Sequence, residues 1–198
     1  MIIKRLFDII FSSIGLILVS PILLIIAIFI KIDSKGPVFF RGVRVGQNGK
    51  KFRIFKFRTM VENADSLGGP STAGDDPRLT KIGKFLKKYQ LDELPQLINV
   101  LKGEMSLVGP RPEVPFYVDM MSAEEKKIIL SVPQGMTDLA SLWDFHEGEI
   151  LKGSLDPEKT YQEKIRPQKL KLQMEYVKSR SFLLDLKIIT KTVFKIFR

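Results

Sequence analysis

No cysteine occurs among the 198 residues, which excludes disulfide staples, Cys-ligated zinc and iron–sulfur clusters. Histidine occurs once, at His146, too few for a His-rich metal site and a poor basis for a Ser-His-Asp triad. With 44% hydrophobic residues the chain is neither a disordered tail nor a collagen-like polymer. Chemistry must therefore rest on carboxylates, hydroxyls, Lys and Arg, with or without a borrowed metal ion. The length suits one domain with one core and an appendage.

What the chain does have is positive charge, 32 Lys and Arg against 22 Asp and Glu, a formal net of +10. Its distribution is uneven. Residues 1–34 carry +1, residues 35–58 carry +8 with no acid, residues 59–163 carry −7, and residues 164–198 carry +8. Two basic stretches bracketing an acidic middle ask for an anionic partner: nucleic acid, an anionic membrane or a phosphorylated substrate.

From Ile9 to Ile30 run 22 residues without a charge, enough at about 1.5 Å per residue to span a bilayer core of about 30 Å. No small-x-small cleavage pattern follows, so a cleaved signal peptide is not expected. Ser20-Pro21 stands mid-run, where proline removes an amide donor and predicts a kink or break. Both flanks are basic, with Lys4 and Arg5 before and Lys31, Lys35, Arg41 and Arg44 after, so both ends look cytoplasmic. A helix–break–helix dipping into one leaflet satisfies both features; a kinked transmembrane anchor remains the alternative. Lys4, Arg5 and Asp8 fall at helical spacing and could pair at headgroup level. At the other end, over Ser181–Arg198, Lys187, Lys191, Lys195 and Arg198 share one narrow helical arc, with Leu183, Leu186, Ile189, Val193, Phe194, Ile196 and Phe197 around the rest. This is a basic amphipathic helix that either lies on an anionic surface or docks on its own domain.

Between the ends, Val38–Val45 and Lys51–Arg58 flank Gly46-Gln47-Asn48-Gly49, the signature of a β-hairpin. Basic and aromatic residues alternate along it, suited either to nucleic-acid stacking or to a strand that presents cations to headgroups or phosphates. Residues 65–77 are turn formers without periodicity, a candidate mobile lid. Thr80–Tyr89 and Asp119–Leu130 read as short charged helices. Asp92-Glu93 precedes a helix that starts near Pro95 and stops at Gly103; Asp is a favoured N-cap, and such a terminus keeps acids ionised and welcomes phosphate oxygens. Plain capping is the simpler role. In Gly109-Pro110-Arg111-Pro112 two prolines hold one arginine rigidly, as a clamp for phosphate or as half of a structural ion pair. Trp143-Asp144-Phe145-His146 clusters aromatics on a loop, to stack a uracil or sugar ring or to cover the core.

These residues together resemble the bacterial sugar transferases, the monotopic phosphoglycosyl transferases of the small one-domain type, nearly end to end. The likeness rests on Lys4-Arg5-x-x-Asp8, Ser20-Pro21, Lys56-Phe57-Arg58-Thr59-Met60 and Asp76-Pro77-Arg78-x-Thr80-x-x-Gly83. It continues through Leu91-Asp92-Glu93-Leu94-Pro95-Gln96-Leu97-x-Asn99-Val100-Leu101-x-Gly103 to Met105-Ser106-Leu107-Val108-Gly109-Pro110-Arg111-Pro112. The resemblance implies an α+β fold: a re-entrant membrane helix–break–helix over 1–34 and a small, mainly helical catalytic domain over 35–198, with a β-hairpin and interfacial amphipathic helices. It implies transfer of a sugar-1-phosphate from a nucleotide diphosphosugar, usually a UDP-sugar, to polyprenyl phosphate at the cytoplasmic face of the bacterial inner membrane, the first membrane step of glycoconjugate assembly. Mg²⁺ assists, UMP leaves, and a covalent enzyme intermediate forms on Asp92. Glu93 would partner Asp92 as a Mg²⁺ ligand or proton handler, and Arg111 would grip phosphoryl oxygens. Lys87, where the family often has Arg, Arg78, Lys56 and Arg58 would complete the phosphate contacts. Nucleotide-sugar donor, polyprenyl phosphate and anionic phospholipid are the implied partners, with no nucleic acid; the oligomeric state stays open, a homodimer included. Departures fall at Lys87, at Pro133-Gln134-Gly135-Met136-Thr137-Asp138, where Arg and Gly are usual, and at Leu172-Gln173-x-x-Tyr176, which bear on donor identity. A catalytically inactive membrane scaffold and a membrane-tethered nucleic-acid binder are the competing readings, the latter weakened by the acidic middle.

Overall fold

Thirty-two residues of nearly unbroken apolar sequence form one helix, α1 (Ile2–Asp33), in the computed structural model, which describes residues 2–69, 71–144 and 147–196. Pro21 has no amide to give the Ile17 carbonyl, but the Ser20 hydroxyl donates to it at 2.8 Å. That bond satisfies the carbonyl the proline would orphan, so the helix carries on through the pair. The expected break at Ser20-Pro21 is thereby corrected to one continuous element. Asp8, Ser12, Ile26 and Ile30, all on one face, are buried, whereas Ile17, Leu18, Leu24, Ile25 and Ile28 are exposed.

Both ends of α1 rest on the same body. Asp8 accepts from the Leu107 amide at 3.1 Å, Arg5 donates to the Val100 and Leu101 carbonyls at 2.6 and 2.8 Å, and Lys4 pairs with Asp185. The expected local pairing among Lys4, Arg5 and Asp8 thus gives way to three long-range contacts. At the far end Asp33 accepts from the Ile82 amide at 3.1 Å. Ile26 and Ile30 pack with Phe57 and Leu86, and truncating a side chain as buried as Ile30 costs about 2–5 kcal/mol.

The hairpin forms as two short antiparallel ladders. β1 (Phe39–Phe40) pairs with β4 (Lys56–Phe57), and β2 (Val43–Val45) with β3 (Lys51–Arg53). Asn48 and Gly49 at its tip have φ of 55° and 76°, left-handed values that the Asn-Gly pair tolerates. Helix α2 (Lys81–Lys88) is capped by the Thr80 hydroxyl, which accepts from the Gly83 amide. A Cβ at Gly83 would stand 1.9 Å from the Thr59 carbonyl oxygen, so glycine lets α2 lie directly on the segment after β4. Gln90, at φ 53°, reverses the chain into the 3-10 turn Leu91–Glu93, followed by α3 (Gln96–Lys102), which ends at Gly103 with φ 79°. Asp92 and Glu93 thus occupy a turn of their own rather than the cap of α3, a correction to the capping expectation.

β5 (Ser106–Val108) runs parallel to β6 (Gly135–Thr137). Between them lie α4 (Pro115–Asp119) and α5 (Ala123–Ile129); Ser122 and Glu125 close a capping box on α5, so the helix expected over 119–130 starts later, at Ala123. The chain continues through α6 (Leu139–Trp143), α7 (Glu147–Leu151), α8 (Pro157–Thr160), α9 (Arg166–Ser179) and α10 (Phe182–Ile196). The small ladders and predominant helix agree with the expected mixed fold. On α10, Asp185 and Ile188 are buried and Lys195 donates to the Leu142 carbonyl, so the helix is docked and Lys195 leaves the expected free basic arc. Phe182, Leu183, Leu186, Val193 and Phe194 remain exposed on its outer side, with Lys187 and Lys191 alongside. Phe182 meets Phe7 edge-to-face at 5.2 Å, joining this apolar surface to that of α1. Phe197 and Arg198 lie outside the described residues, as do Phe145 and His146 of the expected aromatic cluster.

Candidate active site

Asp92 and Glu93 project from their 3-10 turn toward β4. Two hydrogen bonds fix that relation: the Asn99 side chain on α3 accepts from the Phe55 amide at 2.8 Å and donates to the Arg53 carbonyl at 3.0 Å. Lys56 Nζ consequently stands 3.2 Å from Asp92 Oδ2 and 2.9 Å from Glu93 Oε1. Arg111 arrives from the segment after β5. A Cβ at Gly135 would lie 2.0 Å from the Gly109 amide nitrogen, so two glycines permit the close backbone approach that holds this segment. Gly109 and Gly135 donate to Thr137 and Pro110 carbonyls at 3.0 and 2.8 Å. The guanidinium then grips Glu93 with both arms, Nη1 at 2.9 Å from Oε2 and Nη2 on Oε1.

The two carboxylates are driven apart electrostatically. Burial holds Asp92 above the ordinary carboxylate range, with the Glu93 charge adding to the rise and Lys56 opposing it. Glu93, buried as well, is nevertheless pulled well below its ordinary value, first by Arg111 and then by Lys56. Lys56 loses charge preference through burial but gains more from Asp92 and Glu93, and ends up raised. Glu93 is therefore a fixed anion that orients two cations, and Asp92 is the more basic of the two carboxylates.

Lys87, in the last turn of α2, completes the cationic side. Burial and then the Lys56 charge bring it down to about 8, against the pull of Asp92, Glu147 and Glu93. Two other expected phosphate ligands line the same cavity as Asp92 and Lys87 and are at the same time bonded within the chain. Arg58 donates to the Ser34 carbonyl at 2.8 Å, the Ser34 hydroxyl at 3.0 Å and the Lys35 carbonyl, closing the end of α1. Arg78 grips Asp76 with Nε at 3.0 Å and Nη2 at 2.7 Å, and donates to carbonyls of Ala64, Gly69 and Ser71. Those bonds, with Ser71 on Tyr117 at 3.0 Å and Gly74 on the Gly148 carbonyl at 2.7 Å, staple the segment expected to be a mobile lid. Of the hairpin's aromatics, Phe55 lies 3.4 Å under Arg41 and Phe57 is buried, while Phe39 and Phe40 stay at the surface.

Asp92 and Glu93 are the hard oxygen ligands available for a metal; among the described residues no group of three or more potential ligands stands together. Two carboxylates suit Mg²⁺, which takes most of its remaining ligands from water and substrate phosphates. Asp92, Glu93, Lys56, Lys87 and Arg111 line one open cavity of about 2110 Å³, ample for a nucleotide-sugar. The same cavity reaches Glu113, Asp144, Glu147 and Lys169, which sequence reasoning did not single out as site residues. Lys169 Nζ sits 2.9 Å from Glu147 and 3.2 Å from Asp144. Burial, against the pull of Lys169, pushes Asp144 up to about 6. Of these residues, Asp144 carried a local signal, its place in the aromatic cluster Trp143-Asp144-Phe145-His146, and Glu113 only its place directly after Pro112. Asp138, the departure from glycine, caps α6 by accepting from the Ser141 amide at 2.7 Å.

The whole chain, residues 1–198, matches the family described as bacterial sugar transferase. It is similar to a UDP-glucose:undecaprenyl-phosphate glucose-1-phosphate transferase of Klebsiella pneumoniae, 43% identical over 201 residues, 100% of this chain and 40% of that protein. A UDP-N-acetylgalactosamine-undecaprenyl-phosphate N-acetylgalactosaminephosphotransferase of Aeromonas hydrophila is 47% identical over 122 residues, 62% of this chain and 29% of its own length. The uncharacterized sugar transferase EpsL of Bacillus subtilis is 39% identical over 196 residues, 99% of this chain and 88% of that protein. The chain thus spans about two fifths or less of the first two relatives.

Proposed function

Because the chain belongs to the bacterial sugar transferase family, we propose that it moves a sugar-1-phosphate from a UDP-sugar to a polyprenyl phosphate such as undecaprenyl phosphate, releasing UMP. The observation that carries this reading is the buried Asp92 carboxylate, 3.2 Å from Lys56 and beside a Glu93 already clamped by Arg111. Asp92 Oδ attacks the sugar-bearing phosphorus; the bond from that phosphorus to the bridging oxygen breaks, and UMP departs with the electron pair. The acyl phosphate on Asp92 is then attacked by a polyprenyl phosphate oxygen, and the Asp92 carboxylate leaves. Lys56, Lys87 and Arg111 balance the charge of an anion meeting an anion. Asp92 and Glu93 would hold Mg²⁺, which would supply further neutralisation of the diphosphate. Glu93 keeps Lys56 and Arg111 in place.

Residues 1–34 form the anchor and 35–198 the working domain on the cytoplasmic face of the inner membrane. A re-entrant seating of α1 is supported by its two ends, both bonded to that domain, with an apolar outer face between them. An acceptor whose phosphate lies at the interface then meets the site by lateral diffusion. Asp92→Asn should abolish UMP release from UDP-glucose or UDP-N-acetylgalactosamine in micelles with undecaprenyl phosphate, and remove the phosphosugar adduct seen in the intact mass of the wild type. Turnover by the Asn variant would sink the nucleophile assignment.

A further inference from the structure

The cavity lining holds two clusters of charge in electrostatic contact. Lys56, Lys87 and Arg111 stand around Asp92 and Glu93; Glu113, Asp144 and Glu147 stand around the buried Lys169, with Glu147 also felt by Lys87 and all three acids by Arg111. Arg111 stands between, bonded to Glu93 and drawn electrostatically toward Asp144 and Glu147. Lys169 is divided between Asp144 and Glu147. Glu113, 8% exposed and lining the cavity, has no hydrogen bond or ion pair to its carboxylate among the described residues. A carboxylate set in a largely buried residue, open to a cavity and taking no donor from the protein, is placed to accept from a ligand that donates hydrogen bonds.

We propose that Glu113, with Asp144 and Glu147 held by Lys169, forms a hydroxyl-binding wall for a sugar ring of the donor. The assignment rests on the phosphosugar-transfer reading. A diphosphate seated on Lys56 and Arg111 is repelled by three acids, so the part of the donor facing them is neutral and rich in O–H donors. Vicinal hydroxyls fit, since carboxylates accept from them in short, charge-assisted bonds. Two rings carry that chemistry, the transferred sugar and the ribose of the leaving nucleotide, and binding experiments separate them.

Calorimetric titration of the full chain in micelles with UDP-glucose, UDP-N-acetylgalactosamine and UDP provides the test, on wild type, Glu113→Ala, Glu113→Gln and Asp144→Asn, with thermal unfolding alongside. Glu113→Ala should weaken the better UDP-sugar by about 10- to 100-fold. Glu113→Gln should recover part of that loss, and Tm should not fall, because the carboxylate removed has no protein partner. Unchanged UDP affinity assigns the wall to the transferred sugar; an equal loss for UDP assigns it to the ribose. Unaltered affinities for all three ligands in Glu113→Gln and Asp144→Asn would overturn the proposal. A wild-type chain that binds neither UDP-sugar and releases no UMP would instead remove the underlying reading.

Discussion

Lys87 shows how far one residue type alters the site's working range. A guanidinium stays charged far into alkali, whereas this ammonium is brought down to about 8 by burial and by Lys56. Below that pH it is a cation; above it, a neutral amine. In the free enzyme kcat/KM should therefore fall as pH rises through about 8, and Lys87→Arg should move that limb to higher pH, read from a pH–rate profile with a UDP-sugar. The acid side depends on Lys56. Removing its charge in Lys56→Met leaves Asp92 beside Glu93 with less compensation and raises Asp92 further, so activity should be lost at a higher pH than in the wild type. An acid limb that stays put would argue against ionised Asp92 as the reacting form. At this scale the fixed placement of Arg111 was legible, because the prolines on either side announce themselves locally; Asp92 and Glu93 stood out as a pair before Pro95, but as a helix cap rather than the turn they form. Lys169 was not legible: nothing near it distinguishes a buried lysine from its exposed neighbours on α9, and only Asp144 and Glu147 brought from elsewhere define its role.

Elements carry the residues into range by close approach and by capping. Gly83→Ala would drive a Cβ into the Thr59 carbonyl at 1.9 Å, so α2 must shift and Lys87 with it. Overpacking of this kind costs about 1–3 kcal/mol, and a fall in both Tm and kcat/KM is expected. Arg58→Lys replaces a fork spread over the end of α1 by a single point; a loss of about 1–3 kcal/mol in denaturant unfolding is expected. A stability matching wild type would remove the capping role. The hairpin and α2 stood in the sequence through Asn-Gly and Thr80. The continuity of α1 did not, because proline by itself favours a break, and the outcome turned on whether the Ser20 hydroxyl reached the Ile17 carbonyl. The start of α5 was similarly decided by its capping box, which competes with helix propensity across residues 119–122.

For the whole molecule, α1 and the candidate site are tied to one body. Arg5 closes the end of α3, Arg58 closes α1 from a place on the chain just past Lys56, and Asp33 receives an amide of α2. With both ends of α1 on one body, cysteines placed at Ile2 and Lys35 should react with a membrane-impermeant maleimide from the same side of sealed vesicles. Labelling from opposite sides would establish a span; the cysteine-free chain gives a clean background. The absence of cysteine and the single histidine already turned the chemistry toward carboxylates, hydroxyls, Lys and Arg, with or without a borrowed metal ion, and the apolar run with its basic flanks already asked for a membrane surface. Those conclusions need only composition and periodicity, which a linear chain carries complete. Which cations meet Asp92, that Arg58 and Arg78 are committed to carbonyls and to Asp76, and that Glu113 faces the cavity unpartnered were decided by tertiary structure alone. Each is a matter of a few ångströms between groups that different elements bring together, and the charge state of a group is set by folded distance and burial, not by order along the chain.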